Sequence, residues 1–192
     1  MLARITDLLP HHTQRRRQAA RLLVIGFREH WPAAWPDMDA ALAEVSDLLQ
    51  PGCICRAALD ERGRVIGWIG AIEAGYDGRV WELHPLVVDP AHQGQGIGRA
   101  LVADLEAQVQ ARGALTLTLG TDDENGMTSL SGADLYDNTW EHIRAIRNLK
   151  GHPFAFYQAC SFTITGVVPD ANGPGKPDIL MSKRLLQADQ PS

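Results

Sequence analysis

Trp81-Glu82-Leu83-His84-Pro85-Leu86-Val87-Val88-Asp89-Pro90-Ala91-His92-Gln93-Gly94-Gln95-Gly96-Ile97-Gly98-Arg99-Ala100 is the stretch that decides the fold. It enters as an apolar strand. It leaves through Ile97, Leu101, Val102, Leu105 and Val109 at roughly 3.6-residue spacing, so a glycine-rich loop joins a strand to a helix. The helix is predicted to stop at Arg112-Gly113, a basic residue followed by a glycine. The first turn of such a helix carries amides without intrahelical acceptors, and its dipole adds partial positive charge. Glycines at positions 94, 96 and 98 let an anion reach those amides without meeting a Cβ. The spacing Gln93-x-x-Gly96-x-Gly98 is a cradle for a pyrophosphate, and it differs from the G-x-x-x-x-G-K-[ST] of a nucleotide P-loop.

Upstream, Ile54 to Leu59, Val65 to Glu73 and Val80 to Val88 read as strands. The segments between them, Asp60-Glu61-Arg62-Gly63 and Tyr76-Asp77-Gly78-Arg79, are both turn chemistries, so an antiparallel meander is predicted. A short strand over Leu2–Ile5 opens the chain, with helices over Thr13–Glu29 and Asp37–Leu49 and a proline-rich Trp31-to-Pro36 junction between them. Downstream, Leu115 to Gly120 alternates Leu with Thr and reads as a strand parallel to the one before the helical crossover. Asp122 to Leu135 is a polar loop, Leu135 to Leu149 is predicted helical, and Pro153 starts a short helix carrying Tyr157. Phe162 to Val168 and Ile179 to Lys183 close the chain as strands around the Pro169–Pro177 loop, and Gln187–Ser192 is expected to fray.

The 192 residues carry a net charge of −5 and three cysteines. That size suits one domain, and that charge disfavours a nucleic-acid binder. Arg15-Arg16-Arg17 is the single basic run and reads as a solvated helix face. No apolar run is long enough to span a bilayer and no signal peptide is evident, so a cytoplasmic protein without membrane partners is expected. Cys53, Cys55 and Cys160 fit neither a disulfide framework nor a zinc site. Cys53 and Cys55 read as small hydrophobes on one strand face, and the seven histidines show no metal spacing, so no metal is expected.

The loop, with Gln93, Gly96 and Gly98, resembles the acetyl-CoA-binding motif of the GNAT superfamily of N-acetyltransferases. Further blocks, Trp81 to Val88 (WELHPLVV), Leu119 to Asp123 (LGTDD), His152-Pro153 with Phe156-Tyr157, and the PDANG and KPD pieces between Gly166 and Asp178, resemble one branch, the aminoglycoside 6'-N-acetyltransferases. The likeness runs in order from about Trp31 to Lys183. It implies a single α+β GNAT acyltransferase domain over residues 1–192, with a mixed central sheet, an antiparallel meander and splayed strands flanked by helices. It also implies acetyl-CoA as co-substrate, an aminoglycoside acceptor attacked directly through its 6'-amine in a ternary complex, antibiotic resistance, and a homodimer. A polyamine or a protein amine is the alternative acceptor.

The resemblance assigns the pyrophosphate to Gln93, Gly94, Gln95, Gly96, Ile97, Gly98 and Arg99. It assigns the pantetheine arm and the thioester carbonyl to the main chain of Leu86, Val87 and Val88, whose side chains read as core. By strand alternation Glu82, His84 and Leu86 share a face, which would put a carboxylate and an imidazole in the row of the reacting carbonyl. A polar pair at a sheet end is the alternative. Tyr157 stands where the superfamily often meets the thioester sulfur. A phenol of pKa ~10 gives its proton to a thiolate of pKa ~8.5 only uphill, by about 2 kcal/mol, so a hydrogen bond to the sulfur is the expected role, with proton donation the alternative if the site tunes either group. Phe154, Phe156 and Tyr157 also read as an apolar helix face. Cys160-Ser161 departs from the usual leucine and helix-ending glycine, and Asn148 is further from Tyr157 than the superfamily's helical asparagine. Asp122 and Asp123 are expected to draw a cationic acceptor, while Glu124 and Asp137 read as solvated surface. Trp31, with Trp35, reads either as an aromatic wall for that acceptor or as a core anchor at the helix junction.

Overall fold

A computed structural model describes residues 3–185. The α+β class is as expected. The order is β1 (Arg4–Asp7), α1 (Thr13–Phe27), α2 (Met38–Asp47), β2 (Cys53–Leu59), β3 (Val65–Glu73), β4 (Val80–Val88), a 3₁₀ turn (Pro90–His92), α3 (Ile97–Gln110), β5 (Thr116–Asp122), α4 (Thr139–Arg144), α5 (Phe154–Ala159), β6 (Thr163–Val168) and β7 (Asp178–Arg184). The chain forms two compact units, residues up to Leu117 with Leu185, and Thr118–Arg184. Leu2 of the predicted first strand and the predicted frayed tail lie outside the described residues.

In the first unit β1, β2, β3 and β4 are neighbours in that order and every pair is antiparallel, the meander read from the turns. Helices cover both faces of these strands. Trp68 is wholly buried and gives its indole N–H to the Ala19 carbonyl of α1 at 3.0 Å, whereas its neighbour Gly67 faces Leu101 of α3. A buried indole needs that partner, because an unmet N–H costs about as much as the ring's burial contributes. α3 buries Ile97, Leu101, Val102, Leu105 and Val109, the residues whose spacing predicted it, and Gly113 stops it at φ +87°. Asp37 caps α2 by accepting from the amides of Asp39 and Ala40. Two glycines, one on α1 and one on β3, allow close approaches around β4. A Cβ on Gly26 of α1 would lie 2.7 Å from Val87 Cγ2, and one on Gly70 of β3 would lie 2.5 Å from the His84 carbonyl and 3.0 Å from Leu48, the residue that ends α2.

A bulge interrupts β4 and corrects the alternation expected there. Leu83 stands opposite Ala71 and Leu86 opposite Ile69, so His84 and Pro85 together face Gly70. Proline has no N–H for the ladder, and the extra residue is absorbed where it stands. Facing residues share a side of the sheet. Glu82, opposite Ile72, therefore lies on the side of Trp68 with α1 and α2, while Leu86, opposite Ile69, lies on the side of Gly67 with α3. Glu82 and His84 do not share a face with Leu86; one inserted residue turns the strand over between them.

In the second unit β6 and β7 pair antiparallel, Thr163 opposite Ser182 and Val168 opposite Asp178. The helix predicted over Leu135–Leu149 shrinks to α4. Its missing turns are drawn into pairing with residues 127–129: Leu149 N–H and Lys150 N–H bond to the Met127 carbonyl at 2.8 and 3.2 Å, and Ser129 N–H to the Arg147 carbonyl at 3.1 Å. Backbone groups that find such partners cannot also close helical rings. α5 ends in a full Schellman motif, with Phe162 N–H on the Tyr157 carbonyl at 3.0 Å and Ser161 N–H on that of Gln158 at 2.9 Å. Ser161 sits at φ +68°, the left-handed position where the sequence lacks the usual glycine. The motif closes despite a strain of about 1–2 kcal/mol.

Candidate active site

The loop between β4 and α3 is held by its own side chains. Asp89 accepts from the Ala91 amide at 3.0 Å and its second oxygen lies 3.3 Å from His92 Nδ1; Gln93 donates to the Val88 carbonyl at 3.2 Å and Gln95 to that of Ala91 at 3.4 Å. Gly94 and Gly96 lie at φ +73° and +82°, and a Cβ on either would meet nothing within 4 Å. Their backbone conformation, more than crowding, requires glycine. The first helical bond runs from Ala100 N–H to the Gly96 carbonyl, and from Gly94 to Arg99 no amide has an acceptor among the described residues. Ile97 is buried, so its side chain serves the core while its N–H belongs to this row. The predicted loop residues thus form a row of outward amides at a helix N-terminus, suited to an anion with several oxygens.

On the opposite side of β4 the structure gathers several predicted residues and one the sequence reading missed. Glu82 is half-buried, and its carboxylate forms no hydrogen bond or ion pair among the described residues. Trp31 packs against Phe27 and His30, with ring centroids 5.8 and 5.5 Å apart, and Trp35 meets Phe27 edge-on at 4.6 Å. His84 lies 6.1 Å from Trp35 between ring centroids. The missed residue is Glu44 of α2, whose two oxygens lie 3.3 Å from His84 Nε2 and 3.4 Å from Trp35 Nε1. The hydrogen bond to His84 is the main reason its carboxyl titrates below the ordinary range; burial opposes the shift, and the His84 charge and Trp35 N–H support it. Its signal was in the sequence, since it falls three residues after buried Ala41 and four before buried Leu48. A carboxylate on an apolar helix stripe needs a partner.

In the second unit the two aspartates of LGTDD part company. Asp122 is half-buried, and one of its oxygens accepts from the Asn172 side chain, which the PDANG loop supplies. Asp123 is fully buried, its two oxygens taking the Met127 and Thr128 amides at 2.7 and 2.8 Å. The acceptor-facing role expected of Asp123 is corrected accordingly: both oxygens anchor the loop that follows β5. His152, also buried, takes the Phe154 amide on Nδ1 at 3.2 Å, so its proton is on Nε2, 3.0 Å from the Asp122 carbonyl. Burial is the main cause that lowers its pKa, against the bond to Asp122 and the two aspartate charges. Asn148 trades two bonds with the His152 backbone, both 2.8 Å, and so closes a turn.

Tyr157 on α5 is flanked by Phe156 and Phe162, with centroids 5.1 and 5.7 Å away. Its hydroxyl makes no hydrogen bond among the described residues, and burial, then the Cys160 thiol, push the phenol above its ordinary range. Such a group stays protonated and donates a hydrogen bond more readily than a proton. Cys55 is buried with its thiol pushed up to about 12, so it is inert.

A family model described as the acetyltransferase (GNAT) family matches residues 12–128. A solved aminoglycoside 6'-N-acetyltransferase complexed with coenzyme A is 36% identical, covers 98% of this chain and 99% of its own, and superposes with a TM-score of 0.87. The aminoglycoside 6'-N-acetyltransferase from Enterococcus faecium is also 36% identical with the same coverage and a TM-score of 0.85. Among curated proteins, acetyltransferase plu1384 of Photorhabdus laumondii subsp. laumondii is 33% identical over 98 residues, 45% of this chain and 68% of its own.

Proposed function

Because the chain belongs to the GNAT acetyltransferase family, we propose that it transfers the acetyl group of acetyl-CoA to the 6'-amine of an aminoglycoside, a reaction that would confer resistance to such drugs. The observation that carries this reading is the end-to-end likeness, at 36% identity, to a coenzyme A-bound aminoglycoside 6'-N-acetyltransferase. The amides from Gly94 to Arg99 hold the pyrophosphate of acetyl-CoA, and the main chain of Leu86, Val87 and Val88 takes the pantetheine arm and the thioester carbonyl. Glu82 has an uncommitted carboxylate on the α2 side of β4. It orients the incoming ammonium, and with Asp122 draws a polycation.

The chemistry needs the amine as a neutral nucleophile. Glu82 takes its proton, directly or through water; the nitrogen lone pair then attacks the thioester carbon. The carbon–sulfur bond breaks, its electron pair leaves on the sulfur, and the second proton, which the nitrogen sheds as the amide forms, passes through water to that thiolate to give the free thiol of coenzyme A. Tyr157 steadies that charge with its hydroxyl. Because its environment raises the phenol pKa, the uphill gap for full proton transfer widens, and the hydrogen bond is the role that fits. Attack is direct in this reading, and Cys55, an inert buried thiol, is no candidate for a covalent acetyl intermediate.

The test is an acetylation assay that follows thiol release with a kanamycin-type drug, spermidine and a peptide panel, the product being mapped by mass spectrometry. Acetylation of the drug at its 6'-nitrogen is expected. Turnover of spermidine or peptide with none of the drug would overturn the acceptor assignment and leave the family assignment standing.

A further inference from the structure

We propose that Glu44 positions His84 for recognition of the acceptor amine, an inference that rests on the reading of Glu82 and His84 as acceptor-side residues. No motif in the chain includes Glu44. It reaches the site because α2 lies close on β4 where the bulge puts His84 opposite Gly70, and Gly70 leaves room for Leu48. Its carboxylate serves two donors at once, His84 Nε2 at 3.3 Å and Trp35 Nε1 at 3.4 Å, one on each oxygen.

Two consequences follow from that arrangement. The imidazole is held with its proton on Nε2, because a carboxylate can only accept. The carboxylate in turn cannot swing away from His84 without stranding the Trp35 indole, whose ring is wedged edge-on against Phe27. Glu44 thus ties the proline-rich junction, α2 and the bulged strand into one rigid wall on the face that carries Glu82. A negative charge behind the imidazole also lets His84 stand beside a cationic acceptor at less electrostatic cost, whichever protonation state it holds. Aromatic and imidazole surfaces fixed before binding lose little entropy when a sugar-borne ammonium docks.

Glu44→Gln keeps the shape but offers one acceptor oxygen to two N–H donors, and its NH₂ opposes the other. The experiment uses the full chain, with histidine labelled in both ring nitrogens and steady-state kinetics run on parent, E44Q, H84Q and the double variant. The parent should show His84 protonated on Nε2. E44Q should change that nitrogen signature and lower kcat/KM for the acceptor at least tenfold, with the KM for acetyl-CoA unchanged. E44Q/H84Q should be no worse than H84Q alone, since Glu44 acts through His84. Additive losses, or an unaltered His84 signature in E44Q, would overturn the proposal and leave the enzymatic reading intact. A parent that acetylates no amine while E44Q still alters His84 would overturn the enzymatic reading, and Glu44 would then be a packing residue. A general fall in thermal stability with both KM values raised alike would assign the same packing role.

Discussion

Asp123→Asn is expected to loosen the loop after β5 while leaving acceptor recognition nearly untouched. The parent carboxylate is fully buried and accepts two backbone N–H groups, at 2.7 and 2.8 Å, from Met127 and Thr128, residues that are themselves buried. Asparagine keeps the outline but has one oxygen, so its NH₂ is turned toward the second N–H. Weakening one charge-assisted bond and stranding one buried donor sum to about 2–4 kcal/mol. In a chain of this size each kcal/mol moves Tm by about 2–4 °C, so a fall of about 4–16 °C is expected by calorimetry. The kinetic arm is run well below the lowered Tm, where the variant is still folded. There the KM for the acceptor should stay within about threefold of the parent, a change of about 0.7 kcal/mol or less. A variant that melts with the parent yet shows an acceptor KM raised tenfold or more would refute the reasoning and return Asp123 to the substrate.

Gly96→Val forces a β-branched residue into φ +82°, at a strain of about 1–2 kcal/mol or more that the loop relieves by turning its amides away; titration calorimetry should then show acetyl-CoA affinity down at least tenfold, and unchanged affinity would remove the loop from the cofactor site. Glu82→Gln should lose activity most at low pH, where the acceptor is largely ammonium, and a pH profile matching the parent would make Glu82 structural. Tyr157→Phe should lower turnover about ten- to a hundredfold, for one charge-assisted hydrogen bond of ~1–3 kcal/mol, with acceptor affinity steady; full inactivity with intact binding would mean that Tyr157 delivers the proton. For His152 the folded pKa is depressed, chiefly by burial, so the unfolded chain binds more protons once pH falls through ~6.5 and stability declines from there downward. Urea unfolding from pH 8 to 5 should show that slope in the parent and a flatter one in His152→Gln, and equal slopes would contradict it.

Where an element carried its own boundary chemistry, the sequence was enough to find it. β3 and β4 begin just after the Gly63 and Gly78 turns, and α3 follows its stripe of buried residues from Ile97 to Val109. The predicted helix over Leu135–Leu149 failed for a different reason. Its apolar residues suggested a buried face, but Leu149 is 54% exposed and Trp140 65%, and the backbone after Arg144 is claimed by residues 127–129. A helix that buries so little has only its local hydrogen bonds to hold it, and a short one is marginal in water, so a competing partner far along the chain decides the outcome.

Two features of the site are legible in the residues themselves. Leu117, Leu119 and Thr121 are buried along β5, and carrying the period of two one step further lands on Asp123, with Asp122 on the other side. A motif match alone treats the two aspartates as equals; the alternation does not. The second concerns β4, where a strict period of two places Glu82, His84 and Leu86 on one face. A proline inside a strand that is paired along its length is a marker for a bulge, since it can supply no ladder N–H, and a bulge reverses the face of every residue beyond it. His84-Pro85 is that marker, and the register on either side of Gly70 shows the reversal. The consequence is chemical as well as geometric. With the strand turned over at Pro85, Glu82 and His84 lie on the side of α2, Trp35 and Glu44, while Leu86 lies on the side of α3. Under the proposed function one strand would then address a cationic acceptor on one face and the acetyl-CoA phosphates on the other, with the Glu82 carboxylate kept off the latter.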